Sequence, residues 1–204
     1  MGILRQLFGP SKKEVWQQLC HDIDGQLVEG GFFGRDQVVA RAGEWPVTLD
    51  THTVSTGESN VTYTRLRAPY VNRDGFRFEI YRKGLFSGLG KALGMQDVEV
   101  GHARFDDEFI IKGNDERKLR QLFDHQRIRA LIEAQPKFHL CVKDDEGWFG
   151  THFPQGVDEL HFQVIGVIRD VERLKSLYEL FAEVLHHLCH IGSAYEDDPN
   201  ITLK

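Results

Sequence analysis

The stretch Gly75-Phe76-Arg77-Phe78-Glu79-Ile80-Tyr81-Arg82-Lys83 alternates without a break. Side chains of an extended strand repeat every two residues. Phe76, Phe78 and Ile80 therefore share one face, and Arg77, Glu79 and Tyr81 share the other. Such a strand has one face in a core and one face polar, as in an antiparallel sheet. Working upstream, Asn72-Arg73-Asp74-Gly75 is a turn sequence, and 60–70, 47–54 and 37–43 carry the same period of two. No helical segment intervenes between 36 and 83, which argues against parallel crossovers.

Flanking this block the period changes. Residues 11–29 read as one helix, with Ser11 as N-cap and Glu14 completing a capping box. Trp16, Leu19, Cys20, Ile23 and Leu27 follow helical spacing, and Gly30-Gly31 stops them. Downstream, 84–94 carries Gly84, Gly88, Gly90 and Gly94 among Leu85, Phe86 and Leu89, a loop or a weak amphipathic turn. Short strands are expected near 97–103 and 107–113, and a short helix pair over 114–134 that Pro136 ends. Strands at 138–142, 148–153 and 160–169 follow. A last helix over 171–191, capped by Asp170, has an apolar stripe from Leu174 to Leu188.

The expected fold class is therefore α+β: a curved, mostly antiparallel sheet covered by the N-terminal and the long C-terminal helix, with the 114–134 pair closing one end. Residues 1–10 read as an arm, 11–192 as a single domain and 193–204 as a flexible polar tail. The sheet's second face, rich in Thr and Arg, reads as a solvent or partner surface.

The segment Phe105-Asp106-Asp107-Glu108-Phe109-Ile110-Ile111-Lys112-Gly113-Asn114-Asp115, followed by two short helices, a strand pair, a further strand and a long helix, resembles bacterial domains of unknown function of the DUF3137, galanin-like type. The resemblance spans 60–190, implies a bacterial protein, and brings no catalytic residues with it. Asp106 and Asp107 are expected in a turn.

Composition excludes collagen-like, low-complexity and disordered classes. Acids outnumber bases 31 to 25, giving a net charge of −6, the wrong sign for a general nucleic-acid binder. No stretch approaches the roughly 20 apolar residues of a bilayer span. The first ten residues lack a secretory apolar region, and Gln6 breaks the myristoylation pattern. Cys20, Cys141 and Cys189 are odd in number and far apart, which suits free thiols in a reducing compartment. The expected location is cytoplasmic, including the inner face of the membrane.

Two groups carry candidate chemistry. Glu183, His186, His187 and His190 crowd the last turns of the final helix. His186 and His190, four apart, have metal-compatible spacing for a divalent cation. Glu183 with His186 matches the Glu-x-x-His of di-iron bundles, but no second copy exists. The plainer reading is a solvated helix face whose cations suit the negative helix end. The second group is basic: Arg65, Arg67, Arg73, Arg77, Arg82, Lys83 and Lys91 against Asp74 and Glu79 leave 7 − 2 = +5 between 60 and 91. With Leu85 and Phe86 beside it, this group suits an anionic membrane surface or a protein partner. No nucleophile elbow, P-loop or dinucleotide turn is present. The leading expectation is a non-catalytic module that docks on a protein partner or an anionic membrane surface. The alternatives are a metal-dependent enzyme or metal sensor, and a binder of a small apolar ligand held under the sheet.

Overall fold

A computed structural model describes residues 9–31, 35–55, 57, 59–84, 96–145 and 151–203. Leu85 and Phe86, Lys91, the rest of 85–95 and the first half (148–150) of the expected 148–153 strand lie outside the described residues.

The chain is α+β, as its periodicity dictates. Its strands are β1 (Gln26–Val28), β2 (Gln37–Ala42), β3 (Trp45–Ser55), β4 (Asn60–Val71), β5 (Phe78–Arg82), β6 (Gln96–Asp97), β7 (Phe109–Gly113), β8 (His139–Lys143) and β9 (Val157–Ile165). Among the described residues they form one nine-stranded sheet in the order β1-β2-β3-β4-β9-β8-β5-β7-β6. Every pairing in it is antiparallel. The helices are α1 (Lys12–Asp22), α2 (Ala103–Glu108), α3 (Glu116–Asp124), α4 (Gln126–Glu133) and α5 (Val171–His190).

Leu49, Leu66, Phe78, Ile80, Leu140, Leu160 and Phe162, all fully buried, face inward from the sheet. They meet Trp16 and Leu19 of α1, Leu119 and Leu122 of α3, Ile128 and Ile132 of α4 and the Leu174–Leu188 stripe of α5 in one continuous core. Burying each such side chain contributes about 1.5–3 kcal/mol, so these alternating positions fix which face each strand presents. The β2–β3 hairpin closes through Gly43-Glu44, and Gly43 takes a positive φ of 62°. A primed two-residue turn demands that conformation at its first central position.

Four local expectations change. The first helix ends at Asp22, because Asp24 turns the chain with φ 52° and 26–28 pairs with β2, Leu27 opposite Val38. Helical spacing at Leu27 was a coincidence of one apolar residue that serves a strand equally well. Second, Asp106 lies in helix α2 rather than a turn. Its carboxylate accepts from the backbone N–H of Val100, Gly101 and His102 (2.8, 3.0 and 2.9 Å), and Phe105 packs on Phe109 at 4.7 Å. Third, the cap of α3 is Asp115 rather than Asn114, whose side chain instead ties the 75–77 backbone. Fourth, the terminal tail is anchored where it leaves α5. Ser193 and Ala194 are buried, Ala194 bridges to Asn72, and Ser193 accepts from Arg73 N–H. The Ser11–Glu14 capping box and the Asp170 cap form as their sequence predicts.

Candidate functional site

Chaining the strand registers places one polar row across the outer face of the sheet, away from the core: Thr48, Arg67, His161, Cys141, Glu79 and Lys112. A second row beside it runs Asp50, Arg65, Gln163, His139 and Tyr81. Cross-strand neighbours on one face sit with Cβ atoms about 4.5–5.5 Å apart, so these side chains are forced into contact by the same alternation that buries the leucines. Although polar, Asp50, Arg67 and Glu159 are 0 % exposed and His161 is 3 % exposed. The centre of this face is thus buried rather than solvent-facing.

Burial is tolerated because the charges neutralise one another. Arg65 grips Asp50 with two hydrogen bonds, Nε to Oδ1 at 2.8 Å and Nη2 to Oδ2 at 2.6 Å. Arg67 Nη2 donates to the same Oδ2 at 2.8 Å. Burial alone would raise the Asp50 carboxyl, but the Arg65 hydrogen bond and the Arg67 and Arg65 charges hold it below its ordinary range. Two strands away, Glu159 Oε1 binds His161 Nδ1 at 2.7 Å. Burial, with Lys143, Arg65 and Arg67 nearby, pushes that imidazole far below its usual value, so it is neutral. Its Nδ1 then carries the proton toward Glu159, and the Gln163 side chain is a further hydrogen-bond partner of the ring. His139 behaves oppositely. Burial works against its charge, but Cys141 and Glu79 outweigh burial and raise it to about 9. The Glu79 contact is 3.2 Å from Nε2, and Lys112 Nζ lies 3.4 Å from the other Glu79 oxygen.

The basic group read from the sequence is therefore not one free patch. Arg65 and Arg67 are taken by Asp50; Arg77 pairs with Asp158 (3.0 Å) and Asp144 (2.7 Å); Arg82 pairs with Glu108 (2.6 Å). Adding these four distant acids to the local count gives 7 − 6 = +1. Arg67 in particular is wholly buried, so it offers no surface to a ligand. Arg73 is exposed over the Tyr195 ring at 5.5 Å, and exposed Lys83 donates to the Asp106 carbonyl at 2.8 Å.

The histidine group divides. His186 packs edge-on against Trp45 at 5.2 Å, with Glu196 at 3.7 Å. His187 and His190 stack at 5.3 Å on the other side, and there His125, the cap of α4, joins them 4.8 Å from His187. Glu183 reaches His125 at 3.9 Å. His187 Nε2 bonds the Gln121 carbonyl at 3.0 Å; burial outweighs that bond and lowers its affinity for a proton. Stacked rings do not converge on a point, and among the described residues no three histidine, cysteine, aspartate or glutamate side chains are set to hold one metal ion. Sequence reading missed His125, Asp50 and the group formed by Glu79, His139, Cys141, His161 and Glu159 on neighbouring rows. The available signal was polar residues two apart, His-x-Cys at 139–141 and Glu-x-His at 159–161, inside otherwise apolar strands.

At one end of the outer face the rows become apolar. Ile165, 64 % exposed, stands opposite Tyr63, which stands opposite His52; exposed Val54 faces Val61. Among the described residues no helix is long and apolar enough to cross a membrane.

Neither protein-family models nor curated proteins give a match to this chain. Among solved structures, the crystal structure of the mycobacterial trehalose monomycolate transport factor A, TtfA, is similar, with a TM-score of 0.47 and 11 % identity over 86 % of this chain and 93 % of that chain.

Proposed function

We propose that this chain is a non-catalytic docking module that takes a protein partner on the apolar end of its outer sheet face. The observation that carries the reading is Ile165, 64 % exposed on a central strand beside Tyr63 and His52. An isolated exposed leucine on a loop needs no explanation. A cluster of branched and aromatic side chains on paired central strands, bordered by a fixed polar network, has the anatomy of a protein interface. The near-neutral charge count supports a protein over an anionic membrane, which attracts about 1 kcal/mol per unpaired Lys or Arg.

The test places a photocrosslinking side chain at position 165 and, as a control, at Glu172 on α5, in cells of origin. The expected result is a discrete crosslinked protein at 165, absent at 172 and lost when Val54→Asp is added. Crosslinks that are identical at both positions refute the assignment of the face. Sedimentation with anionic vesicles at low salt separates the two partners: strong, salt-sensitive binding would replace the protein reading by the membrane one.

A further inference from the structure

We propose that the open edge of β3 over 51–55 takes an extended, acidic segment of the partner as an added strand. The inference rests on the docking reading above and names the form of the partner. β2 and β3 pair from Ala42–Trp45 only as far as Val38–Leu49, whereas β3 runs on to Ser55 beside β4. Beyond Asp50, β3 therefore has β4 on one side and, among the described residues, no strand on the other. The ladder also fixes which backbone groups face the open side. Along a strand, the N–H and C=O of successive residues point to alternate sides. Gly166 N–H donates to the Thr62 carbonyl at 2.7 Å, just past the Tyr63–Ile165 pair of β4 and β9. Val61 and Tyr63 thus turn their backbone groups toward β3, where they stand opposite Val54 and His52. Thr51, Thr53 and Ser55, out of step with those two, turn theirs to the open edge. Such a row is a template for another chain, and strand addition is a recurrent way of capturing extended peptides.

The independent observation is a cleft of about 370 Å³ along this edge, lined by Lys12, Arg35, Asp36, Thr51 and Thr53. Side chains of an added strand alternate as those of β3 do. The two beside His52 and Val54 extend the exposed apolar rows of the outer face. The one between them, beside Thr53, enters the cleft. There Asp36 is already held by Lys12 at 3.8 Å and by Gly30 N–H at 3.4 Å. Arg35 is exposed and, among the described residues, in no ion pair. A carboxylate is the complement to that surplus cation. The site thus reads an apolar–acidic–apolar run opposite His52, Thr53 and Val54. A second copy of this chain fits poorly, because edge-to-edge pairing would set Lys12 and Arg35 against their own equivalents.

The experiment pans a displayed library of random short peptides against the full-length protein and measures the best synthetic binder by fluorescence anisotropy. Panning is expected to enrich the apolar–acidic–apolar alternation. Proline lacks the N–H and is tolerated in a strand where that N–H faces outward. Thr53→Pro therefore strikes the open edge and spares the β3–β4 ladder. It is expected to weaken binding about tenfold or more, while Thr53→Ala, which keeps the N–H, stays within about threefold of the parent. Arg35→Glu is expected to cost about tenfold with the acidic peptide. Circular dichroism checks the fold, and Ser55→Pro, nearer the strand end, makes the same test if Thr53→Pro does not fold. Failure to enrich the alternation, or binding that survives the proline variants, overturns the strand addition. A dimer that Thr53→Pro dissociates overturns it in favour of a second copy. Either failure leaves the docking reading standing as long as position 165 still crosslinks a discrete protein; loss of that crosslink in the parent is the failure of the docking reading itself.

Discussion

Replacing Asp50 by Asn removes one negative charge from between two guanidinium groups and leaves the shape nearly unchanged. Asp50 and Arg67 are both 0 % exposed, and Arg65 retains 12 % side-chain exposure. Arg65 can turn partly to water; Arg67 cannot. Leaving one charge of a buried pair uncompensated costs about 3–5 kcal/mol. That is a large share of the roughly 5–15 kcal/mol that separates a folded domain from its unfolded chain. For a chain of this length each kcal/mol moves Tm by about 2–4 °C, so the drop is about 6–20 °C. Urea unfolding followed by circular dichroism reads it directly, as a lower midpoint at unchanged slope. Replacing the whole set, Asp50→Leu with Arg65→Met and Arg67→Met, should recover most of the loss, because apolar groups of similar volume substitute for a complete buried network at little cost. The sign with pH is also fixed. The folded carboxyl lies below its unfolded value, so its contribution is present above the ordinary carboxylate range and disappears as pH falls through the folded value. A loss under about 1 kcal/mol for Asp50→Asn would refute the reasoning, since only an exposed pair is worth so little.

Other outcomes follow from the same geometry. His139 is raised to about 9, so its contribution is full below the unfolded value near 6.5 and is lost as pH rises through about 9; His139→Gln should flatten the stability profile across that window in urea titrations. A Cβ at Gly113 would lie 2.9 Å from the Arg77 carbonyl oxygen and 2.9 Å from Leu119, so Gly113→Ala should destabilise by about 1–3 kcal/mol, seen as a lower melting temperature. Asp170 accepts from Arg173 N–H at 3.1 Å, and Asp170→Ala should cost about 1 kcal/mol by the same measurement. Ile165→Asp touches no core contact and should leave stability within about 0.5 kcal/mol of the parent while abolishing the crosslink near position 165.

The candidate sites were less legible than the fold. Arg65 and Arg67 stand out as cations in sequence, but Asp50 and Asp158, which neutralise Arg65, Arg67 and Arg77, come from 15 to 81 positions away. Local charge counting therefore overstated the basic patch. Likewise, the i, i+4 spacing of His186 and His190 suggested a pair, while Trp45 claims the first and His187 the second. Cys141 looked like one more small apolar residue, because nothing along β8 says which strands will lie beside it.

By itself the sequence determined the period of each segment, the caps at Ser11 and Asp170, and hence an α+β chain whose strands bury alternate residues. Those features depend on neighbours within four residues, where backbone geometry alone sets which side chains share a face. Tertiary structure alone decided the strand order that inserts β8 and β9 between β4 and β5, and with it the meeting of Asp50 with Arg67 and of Cys141 with His161. Pairing between distant strands follows from packing the whole core at once, and charge and proton affinity depend on what that packing brings within a few ångströms.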